Sequence, residues 1–130
     1  MIVDSSALVA IILGEPGHER LYRSMVFAAI PPKMASANFL ETAIVVDGKR
    51  DPLSSRKLDD LIAELEIDIV PFSAEHAVIA REAYRDFGKG SGHPARLNFG
   101  DCIAYALASS AREPLLFVGN DFNHTNIDAA

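Results

Sequence analysis

Four short apolar, β-prone runs punctuate the chain, and the segments between them repeat their apolar residues at helical spacing. The runs are Met1-Ile2-Val3, Lys33-Met34-Ala35, Ile67-Asp68-Ile69-Val70 and Leu115-Leu116-Phe117-Val118. Parallel neighbours in a sheet need a crossover long enough to hold a helix, and such crossovers are right-handed. Strand and helix alternating in this way therefore predict an α/β three-layer sandwich, a central mostly parallel sheet flanked by helices. A chain of 130 residues has the size of one domain, and no repeat or composition break divides it. Residues 1–130 are read as a single domain.

Between the strands the stops are explicit. Leu8, Ile11 and Ile12 define a helix that ends at Gly14-Glu15-Pro16-Gly17, and a second is expected from His18 to about Ala29, ahead of Pro31-Pro32. Ser36 is expected to cap a helix whose inward stripe is Ala37, Leu40, Glu41, Ile44 and Val45. Ser54 and Ser55 are expected to cap one that buries Leu58, Leu61, Ile62 and Leu65. Ser73 starts a helix that runs to Gly88, residues 89–97 read as a loop, and a last helix spans Asn98 to about Arg112. The tail after Asn126 is expected to fray.

Composition narrows the classes. Hydrophobic residues make up 49% and charged residues 23% of the chain, which is globular usage. Cys102, the only cysteine, has no internal partner, and the N-terminus lacks a basic n-region, so the expected location is the cytoplasm. The aliphatic stretch from Ala7 to Leu13 is far short of the roughly 20 residues that cross a bilayer, and no membrane span is expected. Asn123-His124-Thr125 matches a glycosylation sequon and is read as chance. A net charge of −6 opposes a broad basic surface for duplex nucleic acid. It leaves open an acidic pocket that attracts phosphate once a cation is bound. Gly88, Gly90 and Gly92 follow a helix rather than a strand, which excludes a dinucleotide fingerprint. Ser6 stands where a phosphoaspartate enzyme of the haloacid-dehalogenase type would need a second acid.

Candidate chemistry lies in four acids. Ligands of open parallel sheets sit beyond the carboxyl ends of strands, and Asp4 and Asp121 follow two such ends. Glu41 falls among aliphatic residues on its helix, and Asp101 shares an inward face with Ala104, Tyr105 and Ala108. Three of them have a structural alternative: Asp4 as a helix cap, Glu41 at the solvent margin of its stripe, Asp101 in a capping box with Asn98. Carboxylates brought together repel unless a hard divalent cation neutralises them, and oxygen-only ligands select Mg²⁺ or Mn²⁺. His18, His76, His93 and His124 lack the spacing of zinc ligands. Ser6 is placed either to hydrogen-bond a ligand carboxylate or to cap the first helix. Arg81, Arg85 and Lys89, at i, i+4 and i+8, would either grip phosphates or pair with Glu75 or Glu82. Phe99 and Tyr105 read as core rather than as platforms on which RNA bases stack.

The stretches Met1-Ile2-Val3-Asp4-Ser5-Ser6-Ala7, Asn38-Phe39-Leu40-Glu41, His93 through Ala106, and Leu115 through Phe122 together resemble the PIN domain of VapC toxins. The resemblance spans the chain, and the segment from His93 to Ala106 is its most specific part. It implies a PIN-like fold and a metal-dependent endoribonuclease that hydrolyses RNA phosphodiester bonds with Mg²⁺ or Mn²⁺. It further implies a homodimer held in check by a cognate VapB-like antitoxin. Asp4, Glu41 and Asp101 match the family's first three acidic positions, with Asp4 and Asp101 as principal metal ligands. The fourth position falls at Asn120-Asp121, where Asp121 would serve, or Asn120 would bind through its amide oxygen or a water. Asn126 also departs from the Thr-Asp of many relatives, which would weaken a second metal position. A catalytically silent PIN-like module that binds RNA or protein is the alternative.

Overall fold

The computed structural model describes all 130 residues. Strands β1 (Ile2–Val3), β2 (Lys33–Ala35), β3 (Asp68–Val70) and β4 (Leu115–Leu116) are all parallel and lie in the order β3-β2-β1-β4. The chain winds outward from β1 through β2 to β3, then returns to the other side of β1 with β4. The direction of winding therefore reverses between β1 and β4, and a crevice opens beyond their carboxyl ends. Helices α1 (Ser5–Leu13), α2 (His18–Val26), α3 (Ser36–Asp47), α4 (Pro52–Glu64), α5 (Ala74–Phe87) and α6 (Phe99–Ala111) flank the sheet, and a 3₁₀ turn spans Asp121–His124. No helix is long and apolar enough to cross a membrane.

Alternation along each strand feeds two cores. Val3, Met34 and Leu116 pack on one face with Leu8, Ile12, Val46, Leu58 and Leu61, while Ile2, Ala35 and Leu115 pack on the other with Leu97, Ile103, Leu107 and Phe122. Residues Cys102–Ala108 of α6 are buried without a break. Three buried alanines in this helix, Ala104, Ala106 and Ala108, let it lie close to both the sheet and α5.

Several local expectations give way to better-satisfied alternatives. Helix α4 starts one turn early, with Pro52 in its first turn and Asp51 as its cap, accepting from Leu53 N at 3.1 Å and Ser54 Oγ at 2.8 Å. Ser55 instead reaches back to Asp47 at 2.8 Å. The C-terminal tail does not fray, because Leu115 N donates to Asp128 O and Ala130 N to Leu115 O, each at 2.9 Å, which covers the outer edge of β4. Phe99 is 79% exposed, whereas Tyr105 is core and donates its hydroxyl to Asn126 Oδ1 at 2.8 Å.

The largest difference concerns α3. Its buried side chains are Asn38, Thr42 and Val46, and Leu40, Ile44 and Val45 face solvent. Asn38 and Thr42 can be buried because they are hydrogen-bonded: Thr42 Oγ1 donates to Asn38 O at 2.9 Å, and Asn38 Nδ2 to Gly100 O at 3.0 Å. Hydrophobicity alone assigns the helix the wrong face, since these partners offset much of the cost of burial, although Asn38 Oδ1 is left without one.

Candidate active site

Asp4 follows β1 directly and is at once the cap of α1 and a buried acid. Its Oδ2 accepts from Ser6 N at 3.0 Å and from Ser6 Oγ at 2.5 Å. Ser6 Oγ also accepts from Val118 N at 3.0 Å, so one serine ties the exit of β1 to the exit of β4. The other carboxylate oxygen, Oδ1, is buried with no hydrogen-bond partner. Burial pushes the Asp4 carboxyl up to about 6; the two Ser6 hydrogen bonds oppose the rise, and the charges of Asp101 and Glu41 add to it.

Glu41 is half-buried where α3 crosses the same crevice. The rotation of α3 removes the aliphatic stripe around it but leaves it beside the other acids. The Ser5 hydroxyl donates to its Oε1, and Asn38 Nδ2 lies 3.4 Å from the same oxygen. Its Oε2 sits against the α-carbon of Gly100, where any β-carbon would collide with it. Ser5 and Asn38 escape a reading based on acidic residues. The available signal is positional: a hydroxyl next to Asp4, and an amide one helical turn before Glu41.

Asp101 also proves structural and exposed to the crevice together. Asn98 Oδ1 accepts from Asp101 N at 2.8 Å and Asp101 Oδ2 accepts from Asn98 N at 2.9 Å, a reciprocal capping box. Partial burial raises the Asp101 pKa, the Asn98 N–H lowers it, the charges of Asp121 and Glu41 raise it, and Lys89 lowers it. Asp121 opens the 3₁₀ turn and is exposed; Phe122, packed against Phe117 at a ring separation of 4.9 Å, anchors that turn. The Asn120 amide oxygen is occupied, accepting from Asn123 Nδ2 at 3.1 Å.

The four acids therefore sense one another's charge: Asp4 with Asp101 and Glu41, Asp101 with Glu41 and Asp121. No three of the chain's Asp, Glu, His and Cys side chains close on a common point, so the acids line the crevice without forming a cage. Their donors are all oxygen, and the orphaned Oδ1 of Asp4 is a buried anion atom in want of a cation. That donor set fits a hard divalent ion. Three histidines are spent elsewhere: His18 lies 2.9 Å from Glu15 O, His76 completes the cap of α5 with Ser73, and His93 accepts from Ala95 N at 3.1 Å. Neither Glu75 nor Glu82 pairs with the basic residues of α5; Arg85 pairs with Asp86 at 3.2 Å, and Arg81 and Lys89 form no ion pair.

Known proteins share this architecture. The PIN domain family matches residues 1–127. Ribonuclease VapC28 of Mycobacterium tuberculosis is 50% identical over 130 residues, covering 100% of this chain and 97% of the relative. Ribonuclease VapC42 of the same organism is 44% identical over 130 residues, covering 100% and 98%. Among solved structures, Mycobacterium tuberculosis VapC20, described as a sarcin-ricin loop cleaving toxin, aligns with a TM-score of 0.78 at 14% identity over 99% of this chain and 97% of that one. A toxin-antitoxin complex from Klebsiella pneumoniae contains a chain that aligns at 0.68, with 14% identity and coverage of 93% and 88%. These two likenesses concern the fold. With the family match running from β1 through the 3₁₀ turn and half of all residues shared with VapC28, the chain belongs to the PIN-domain family and, within it, to the VapC ribonucleases.

Proposed function

We propose that this protein is a metal-dependent endoribonuclease, the toxin of a VapBC-type toxin-antitoxin pair, and that Asp4, Glu41, Asp101 and Asp121 hold Mg²⁺ or Mn²⁺. The observation that carries the metal site is Oδ1 of Asp4, buried without a partner in a crevice of mutually repelling carboxylates. A fold that gathers such groups weakens itself unless a cation offsets the repulsion. Asp4 and Asp101 would bind directly through the oxygens that their caps leave over. Glu41 and Asp121 would complete the set through waters or hold a second ion. Bound there, the ion would acidify a water and neutralise charge developing on the scissile phosphate, giving a 5′-phosphate and a 3′-hydroxyl. Ser6 keeps the Asp4 carboxylate oriented, and Ser5 with Asn38 does the same for Glu41.

The ribonuclease reading draws on the family and on the names of relatives such as VapC28. A VapB-like antitoxin is the matching partner, in keeping with a structural neighbour taken from a toxin-antitoxin complex. A homodimer would cover Leu40, Ile44 and Val45, the apolar side chains that α3 turns to solvent. The cytoplasm, where RNA and antitoxin are made, is the location this reading requires.

The test is incubation of the purified protein with structured and single-stranded RNA in Mg²⁺ or Mn²⁺, beside EDTA and Asp4→Ala controls. Cleavage lost in both controls is expected. Tight RNA binding without cleavage would make the protein a silent PIN-like module instead.

A further inference from the structure

Next to the acidic crevice, α5 and the start of α6 enclose a groove of about 600 Å³, within the roughly 300–1,000 Å³ typical of small-molecule sites. Its walls are apolar and include Phe72, Tyr84 and Phe99; Phe99 is 79% and Tyr84 46% exposed. Phe99 opens α6 two residues before Asp101, so the aromatic wall and the acidic site stand on one helical turn. The polar lining is Arg81, Lys89 and Asn98, with no carboxylate, in a molecule of net charge −6. Arg81 and Lys89 are both free of ion pairs. Lys89 is anchored at its backbone, where its N–H donates to Leu97 O at 3.0 Å, and its charge reaches Asp101.

We propose that this groove is the nucleotide subsite beside the scissile phosphate, in which an unpaired RNA base stacks on Phe99 and Tyr84 while the flanking phosphates lie on Lys89 and Arg81. The proposal rests on the ribonuclease reading and specifies how its substrate is held. Flat aromatic surfaces beside cations are what single-stranded nucleic acid needs, because every base offers a π-face and every linkage a negative charge. A paired base presents no such face, so the groove selects nucleotides in loops or single strands. Charge also favours RNA here: the four acids repel a polyanion, and Lys89 and Arg81 are the local counterweight on the path to them.

The experiment titrates the full-length protein into a single-stranded oligoribonucleotide carrying 2-aminopurine, with Ca²⁺ replacing Mg²⁺, and follows the fluorescence change on stacking. Phe99→Ala is expected to weaken binding about tenfold or more and to abolish the change. Phe99→Tyr restores both. Lys89→Ala weakens binding and flattens its salt dependence, whereas Leu53→Ala, an exposed apolar change on α4, alters neither. Circular dichroism melts verify that each variant is folded. If Phe99→Ala binds the labelled RNA as tightly as the wild type and the wild type still cuts RNA in Mg²⁺, the subsite is overturned and the ribonuclease reading stands. If the wild type neither binds nor cuts RNA, that reading falls and the subsite with it. A Phe99→Ala protein that sediments as a monomer where the wild type is a dimer, with unchanged RNA affinity, assigns the groove to a second copy and overturns the proposal.

Discussion

The Glu41 carboxylate rests on the α-carbon of Gly100, so that α3 and α6 meet at a point where only a hydrogen fits. Gly100 has no left-handed backbone to explain it; its role is this close approach, sealed by the Asn38 amide bound to its carbonyl at 3.0 Å. Helix propensity alone would make Gly100→Ala stabilising by up to about 1 kcal/mol. The new methyl group must instead displace Glu41. The expected outcome is a loss of cleavage of about tenfold or more with a melting temperature within a few degrees of wild type. Initial rates and thermal melts check it, and a normal rate would show that Glu41 can move without consequence.

What the sequence discloses about this corner follows a physical divide. The alternation of strand and helix, the parallel sense and the acids at the ends of β1 and β4 are legible, because apolar runs and strand-end positions are local signals; the order of the strands in the sheet is not. Asp4 and Asp101 each read as cap or as site acid, and the structure shows the cap: each spends Oδ2 on backbone or hydroxyl donors, which leaves Oδ1 out of the cap. The face of α3 was not legible, because the burial of Asn38 and Thr42 depends on partners in α6 and on the preceding helical turn. For the same reason Ser5 and Gly100 stayed invisible: their roles exist only where α1, α3 and α6 converge.

Asp4 sets a pH dependence of definite sign. Its carboxyl is raised from 3.8 to about 6 in the fold, so the folded state holds a proton that the unfolded state has released. Between those values stability falls as pH rises, and above about 6 the full penalty, about 3 kcal/mol, is present. Asp4→Asn removes it. The variant is expected to melt higher than wild type in EDTA near neutral pH, with a flatter pH profile and no cleavage. Mg²⁺ should raise the wild-type melting temperature more above pH 6 than below it, because protons compete for the same oxygens. A lower melting temperature for Asp4→Asn in EDTA would refute the argument.

Ser6 acts on Asp4 from 2.5 Å and on Val118 from 3.0 Å. Ser6→Ala removes the hydroxyl while leaving the Asp4 cap on the Ser6 amide intact, so the helix survives and the carboxylate loses its orientation. The half-saturating Mg²⁺ concentration in a cleavage titration should rise by about 10–100-fold. A merely structural serine would leave that concentration unchanged while lowering the melting temperature.

At the opposite end of the sheet, Glu113 accepts from Lys33 Nζ and from the N-terminal ammonium at 2.8 Å. Lys33 first, and the ammonium second, hold its pKa below the usual carboxylate value. Its contribution is therefore present above that usual value and disappears as pH falls through the lowered one. Glu113→Gln should cost about 1 kcal/mol in urea unfolding at neutral pH and nothing in strong acid. Cleavage per folded molecule should not change, since the pair lies across the sheet from the crevice.

The fourth corner of the site divides between two neighbours that their hydrogen bonds tell apart. Asn120 already lends its amide oxygen to Asn123 at 3.1 Å, and giving it to a cation would open the 3₁₀ turn that Phe122 anchors. Asp121 is exposed, and its charge is felt by Asp101. Asp121→Asn should therefore lower cleavage about tenfold or more and raise the Mg²⁺ requirement, because an amide brings the same shape without the charge. Asn120→Ala should trim stability by about 1 kcal/mol through the lost hydrogen bond and leave the Mg²⁺ requirement as it was. Metal titrations of the two variants side by side decide the matter: a shift in Asn120→Ala with none in Asp121→Asn would hand the position to the asparagine.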